Sequence, residues 1–335
     1  MSVGKLCRKY RTALMGLAAL SIFFFHEHQP LFTGVRVLGG CEALIKTVGC
    51  DGVEIFFLLS GIGLNFSYAK NPDIAAFYKR RLRRLALPFV LVGLLRLCTD
   101  RWSLLRFLTS ITGLRFYLRD IYSLLWFVPA IMTLYLLFPL CYTLMGRCKS
   151  PARFTLYAIT LWLLGAIVGN NFIRSDLYGF INRIPVFLIG IAVGRTLSDG
   201  GDIELSAPDY LAAALSGAVG VYLHYLTTVR GVILPLYCEY ALSGTLVALA
   251  VSVLVPAALE AVSARRLTAV LGFFGEMSLE FYCLQEWIGE RLLPHFSALP
   301  AFLSNLLLFA AVTAAARLLM RAVKAVNRPA RAVAG

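Results

Sequence analysis

Ionisable and amide side chains recur at one depth of an otherwise apolar chain. His26, Glu27 and His28 stand at the end of the first apolar run, Glu54 at the start of the second, and Arg96 towards the end of the third. Trp126, Asn170, Asn171, Arg183, His224, Glu239, Gln285 and Glu286 fall at a similar level once the runs are threaded through a bilayer. Inserting an ionisable group into lipid costs roughly 2.5 to 3.5 kcal/mol, so such groups are rare and tend to mark a site or a path. Any one of them has a bland reading, in which a helix end reaches headgroups and water. Convergence from many helices favours a site. A histidine among carboxylates suits general acid and base work, because an imidazole with a pKa of about 6.5 takes up and returns a proton near neutral pH. The same set equally suits a proton-coupled transporter. A metal is not expected: residues two apart on a helix face different sides, and neither H-E-x-x-H nor C-x-x-C occurs.

A second concentration of chemistry is basic. Lys79, Arg80, Arg81, Arg83 and Arg84 precede the third apolar run. Guanidinium forks bind phosphate in a bidentate manner, whereas a topological role explains the charge without explaining the spacing.

The elements that position these groups are membrane helices. The chain has 335 residues, 59% hydrophobic and only 15% charged, against the roughly 45 to 50% apolar share of a soluble domain. Apolar runs near the ~20 residues that cross a hydrocarbon core recur along its length. A β-barrel would show ~10-residue segments of alternating polarity, and these are missing. The expected fold is therefore an all-α, polytopic transmembrane bundle of about ten spans, near 13–28, 52–69, 85–99, 123–145, 154–170, 182–197, 208–227, 232–256, 268–290 and 299–320. The first run has a basic flank like that of a signal peptide, but no small-residue cleavage pattern follows, so it reads as a retained helix. Residues 1–335 read as one integral membrane domain with a core of roughly 10–320 and no separate soluble domain.

Most of the 32 Lys and Arg fall on one side if the amino terminus is cytoplasmic, which places both ends in the cytoplasm by the positive-inside rule. The segment 100–122, with Arg101, Arg106, Arg115 and Arg119, breaks the pattern and reads as an outer loop with a short interfacial helix or a misplaced span. The net charge of +14 needs no nucleic-acid partner, since basic helix ends face anionic headgroups. Of eight cysteines, Cys41 and Cys50 in the first outer loop are the pair that could meet in an oxidising compartment.

Five segments, in order, carry a resemblance. "YRTALMGLAALSIFFFHEH" ends on His26; "GVEIFFLLSG" spans Gly52 to Gly61 with Glu54 in its acidic place; "FYKRRLRRLALP" sets Arg81 and Arg84 in an R-x-x-R pattern; "SLLWFVPAIMTLYLLFP" and "PVFLIGIAVG" follow; and "GEMSLEFYCLQEWI" closes the series. Together they resemble the membrane-bound acyltransferase-3 family, bacterial enzymes that O-acylate sugars and other cell-surface molecules. Two positions depart from the family pattern. Many members place an arginine eleven residues before the histidine, where this chain has Met15; Arg11 comes too early, leaving Arg96 or Arg183 as substitute cations. Gln285 stands where a histidine is frequent.

The resemblance implies an acyl group, most simply acetyl, carried from cytoplasmic acyl-CoA to a hydroxyl of a cell-surface or lipid-linked carbohydrate in the bacterial plasma membrane. His26 would be the general base, supported by Glu54. Arg80, Arg81 and Arg84 would hold the donor, and His28, Trp126, Arg183, Glu239, Tyr282 and Glu286 would line the substrate pocket. The alternatives are a transporter of a glycan or lipid intermediate and a family member that lost the reaction.

Overall fold

The computed structural model describes residues 2–26, 29–118, 125–169, 177–232 and 241–327. Among them no β-strand occurs, and helices follow one another from end to end: α1 (Val3–His26), α2 (Arg36–Val48), α3 (Gly52–Lys70), α4 (Ile74–Thr99), α5 (Leu104–Ile111), α6 (Leu114–Leu118), α7 (Phe127–Gly146), α8 (Pro151–Gly169), α9 (Tyr178–Ile181), α10 (Ile184–Ser198), α11 (Ala207–His224), α12 (Ala241–Ala261), α13 (Arg265–Glu276), α14 (Ser278–Leu292) and α15 (Ala301–Val326). A helix satisfies its own backbone donors and acceptors, which lipid cannot do for it, so apolar runs of this length have little other choice.

Among the described residues each of the ten expected segments falls largely on helix, but the expected count of ten spans is not reached by length and apolarity. Six helices among the described residues meet that measure: the continuous α2 and α3 rod, α7, α9 with α10, α11 with the π turn that follows it, α12 and α15. A seventh arises if α13 and α14, bent by 71° at Met277, form one broken span. In α1 and α4 the basic residues lie inside the helix, so the apolar stretch is shorter than the helix itself. The segment 29–51 is not an open loop. It holds α2, and a single 3-10 turn (Gly49–Asp51) runs from it into α3. Within 100–122 two short helices, α5 and α6, replace the irregular loop, and Ser103 caps α5 by accepting from the Arg106 N–H at 3.2 Å.

The middle of the bundle is α3. It is apolar around most of its circumference and buried along most of its length, as a helix surrounded by others must be. Small residues bring its neighbours close, since van der Waals packing rather than the hydrophobic effect drives helix association in lipid. A Cβ on Gly61 would stand 2.6 Å from the Phe187 carbonyl oxygen and 2.8 Å from the Ile191 nitrogen, so α3 and α10 touch through their backbones. Asn65 reinforces that contact by donating to the carbonyls of Gly61 at 2.9 Å and Ile191 at 3.0 Å. By contrast, α11 is peripheral, with only Gly220 and His224 buried.

Candidate functional site

A cleft of about 690 Å³ opens among α1, α3, α4, α7 and α14. One end carries Arg11, Arg81 and Arg84, and among the described residues no carboxylate lines it. Farther along, the walls are the apolar side chains of Met15, Ile22, Phe56, Phe127 and Ile131, with the hydroxyls of Ser60, Tyr135, Ser278 and Tyr282 set among them. Tyr135 donates to Ser60 Oγ at 3.3 Å. From Arg11 to Ile22 the cleft follows three turns of α1, about 16 Å at 1.5 Å per residue.

The basic end explains a spacing. Residues three apart share a helix face, so Arg81 and Arg84 both reach the cleft. Arg80, one position before Arg81, projects to a different side, is exposed and does not line it. The Arg81 guanidinium lies 5.6 Å from the Phe77 ring centre and 5.9 Å from that of Tyr135, held by π faces rather than by an acid. Arg11 corrects the sequence reading. It comes too early for the family's arginine position, yet it stands one turn from Met15 on the same face of α1 and lines the same cleft. Its Nε is buried and has no hydrogen-bond partner among the described residues. The substitutes expected for it are engaged elsewhere: Arg96 pairs with Asp100 and Glu290, both at 3.0 Å, and Arg183 pairs with Glu54.

His26 closes α1, one turn beyond Ile22, so it sits past the inner end of the cleft rather than in its lining. It is exposed, and its ring meets Phe25 edge-on with centres 4.7 Å apart. Glu54 is buried in the first turn of α3 and forms an ion pair with Arg183, Oε1 to Nε 3.0 Å. Among the described residues no hydrogen bond joins Glu54 to His26. Arg183 also covers the Trp126 ring at 5.0 Å and donates to the Gly179 carbonyl, so Trp126, Arg183 and Glu54 form one stack rather than three separate pocket walls. Tyr282 lines the cleft and touches the Phe127 ring edge-on, whereas Glu286, one turn farther along α14, is half-buried outside it. His28, Glu239, Glu27, Asn170 and Asn171 lie outside the described residues. Cys41 and Cys50 are both free thiols, one exposed and one buried, and form no disulfide.

One pairing escaped the sequence reading. Asp51, in the 3-10 turn before α3, faces His224 of α11, whose Nε2 lies 3.1 Å from Oδ1 and 2.9 Å from Oδ2 with the carboxylate as acceptor. Both side chains are buried, at 1% and 0% exposure. His224 was visible as a polar residue on an apolar run; Asp51 sits at a loop-like position before Gly52, where nothing local distinguishes it from a surface acid.

A model of a family described as an acyltransferase domain, acyltransferase-3, matches residues 12–321. Among curated proteins the chain is similar to the acyltransferase MdmB of Streptomyces mycarofaciens, 34% identical over 74 residues, which is 22% of this chain. That stretch spans 19% of the relative's own length. No solved structure matches the chain.

Proposed function

The chain belongs to the acyltransferase-3 family, and on that premise we propose that it is a membrane O-acyltransferase taking an acyl group, most simply acetyl, from acyl-CoA at the cytoplasmic face to a hydroxyl of a cell-surface or lipid-linked carbohydrate in a bacterial plasma membrane. The observation that carries the reading is the cleft: three guanidinium groups at its mouth with no carboxylate among the described lining residues, and apolar walls beyond. A coenzyme A donor has that polarity, with phosphates at one end and an extended uncharged arm ending in the thioester at the other.

Under this reading Arg11, Arg81 and Arg84 grip the phosphates, and Met15, Ile22, Phe56 and Phe127 flank the arm. The thioester then arrives at the outer end of α1, below His26. There His26 removes the proton of the acceptor hydroxyl as the oxygen attacks the thioester carbonyl; the C–S bond breaks, and the imidazolium returns a proton to the leaving thiolate. The Tyr282 hydroxyl, on the wall beside Phe127 and away from the arginines, would donate to the developing oxyanion. Glu54 acts at one remove. Its pair with Arg183 holds Arg183 against Trp126, which stiffens the outer wall of the pocket.

Incubating the purified protein with radiolabelled acetyl-CoA and cell-envelope glycans tests this. Label carried into a glycan fraction with release of free thiol is the expected result. Movement of a glycan across proteoliposomes with no consumption of the thioester would replace the enzyme by a transporter.

A further inference from the structure

Away from the cleft, a second cluster of polar side chains is buried where the 3-10 turn Gly49–Asp51, α3, α11 and α12 meet. Three donors of different chemistry face one another there. Cys50 Sγ lies 3.6 Å from Asp51 Oδ1, and His224 Nε2 lies 3.1 Å from the same oxygen. One donor atom from each of the three lies within 4.8 Å of the others, and all three residues are buried. Zinc bonds of about 2.0 to 2.3 Å set tetrahedral neighbours about 3.5 Å apart, close to two of these separations. The thiol, imidazole and carboxylate are the ligand types that zinc takes.

Space agrees with an ion. A Cβ on Gly244 of α12 would stand 2.9 Å from Glu54 Oε1 and 3.0 Å from Asp51 Oδ1, so the two carboxylates border one opening that glycine keeps clear. Neither Glu54 oxygen makes a hydrogen bond among the described residues, although Arg183 is ion-paired to one of them. Zinc would take Cys50 as the thiolate, the thiol proton being released on binding.

We propose that Cys50, Asp51 and His224 form a structural zinc site that pins the peripheral helix α11 to the start of α3. His224 is the one buried polar side chain of α11, so this tie adds a polar anchor to the packing that Gly217 and Gly220 make against α12.

Metal content settles it without reference to activity. Full-length protein purified in detergent with a tag that binds no metal is expected to carry about one zinc per chain, lost in Cys50→Ser and in His224→Gln. Cys50→Ser keeps the Asp51 and His224 contact, so it folds even if His224→Gln does not. Cobalt(II) added after chelation should give thiolate-to-metal charge-transfer absorption that is absent from Cys50→Ser, and zinc should raise the melting temperature of the chelated wild-type protein alone. Wild-type protein with neither zinc nor a zinc-dependent melting shift would overturn the site, leaving the contact of His224 with Asp51 as a hydrogen bond alone. Zinc retained equally by Cys50→Ser would overturn it too, by placing the ion elsewhere.

Discussion

Replacing Arg11 with glutamine separates a ligand-binding role from a structural one. Arg11, Arg81 and Arg84 line one end of the cleft, and among the described residues no acid stands between them and the Arg11 Nε makes no hydrogen bond. Three cations so placed repel one another when the cleft is empty, so removing one should leave the melting temperature unchanged or slightly raised. Donor binding should move the other way. A hydrogen bond to a charged partner contributes about 1.5 to 3 kcal/mol, and each 1.4 kcal/mol is a factor of ten, so Arg11→Gln should weaken acetyl-CoA binding roughly 10-fold to 150-fold. Arg84→Gln belongs at the low end of that range because Arg84 is exposed and water screens it. Arg83→Gln, exposed and outside the cleft, is the control and should shift affinity less than about twofold. Calorimetric titration of acetyl-CoA into detergent-solubilised protein reads all three. Unchanged affinity in Arg11→Gln, or a melting temperature that falls together with affinity, would refute the assignment of Arg11 to the donor.

The other expectations follow from packing and charge. Gly61→Ala drives a methyl into the Phe187 and Ile191 backbone and should cost about 1 to 3 kcal/mol or more, read as a lower melting temperature in detergent; an unshifted transition would mean that α3 and α10 do not touch there. Glu54→Gln leaves Arg183 buried without its partner and should destabilise by about 3 to 5 kcal/mol, with Glu54→Gln plus Arg183→Met recovering part of the loss in the same assay; additive losses would contradict a direct pair. Asp202, in the loop before α11, accepts from the Gly4 N–H at 2.9 Å, and its bonds to Ser2 and to backbone hold its pKa below the usual 3.8. A carboxyl with a depressed folded pKa contributes stability that is complete above the unfolded value and lost as pH falls through the folded one, so the start of α1 should loosen below about pH 4. Hydrogen exchange over residues 3–8 should show this in the wild-type protein and at all pH values in Asp202→Asn; exchange independent of pH would contradict it.

The helices were legible because lipid leaves apolar runs one backbone solution, and the burial of α3 could be read from its apolar circumference. Arg81 and Arg84 were legible as a pair because three residues return to one helix face. Arg11 was not, because its entry into the cleft depends on how α1 leans on α13 and α14, where Gly16 and Gly275 let backbones approach too closely for any other residue. The pairing of Asp51 with His224 spans 173 positions and is set by the register of a peripheral helix, which no local pattern encodes. Glu54 was found as a buried acid, but its partner turned on which of several cations the tertiary structure delivered, and that was Arg183. Helix α2 went unseen as an element because it is short and carries polar residues that read as loop, and the one short helix expected within 100–122 is two, α5 and α6, broken at Gly113.

The most direct measurement is acceptor-dependent release of free coenzyme A from acetyl-CoA by wild-type protein and by His26→Ala, both shown to be folded by an unchanged melting temperature and both titrated for donor affinity. The expected result is acceptor-dependent release by the wild type, its loss by a factor of about 10² to 10⁴ in the variant, and equal donor affinity in the two. Equal release by both would remove His26 from the chemistry, and no release by either, with donor bound, would contradict an acyltransferase reading of the cleft.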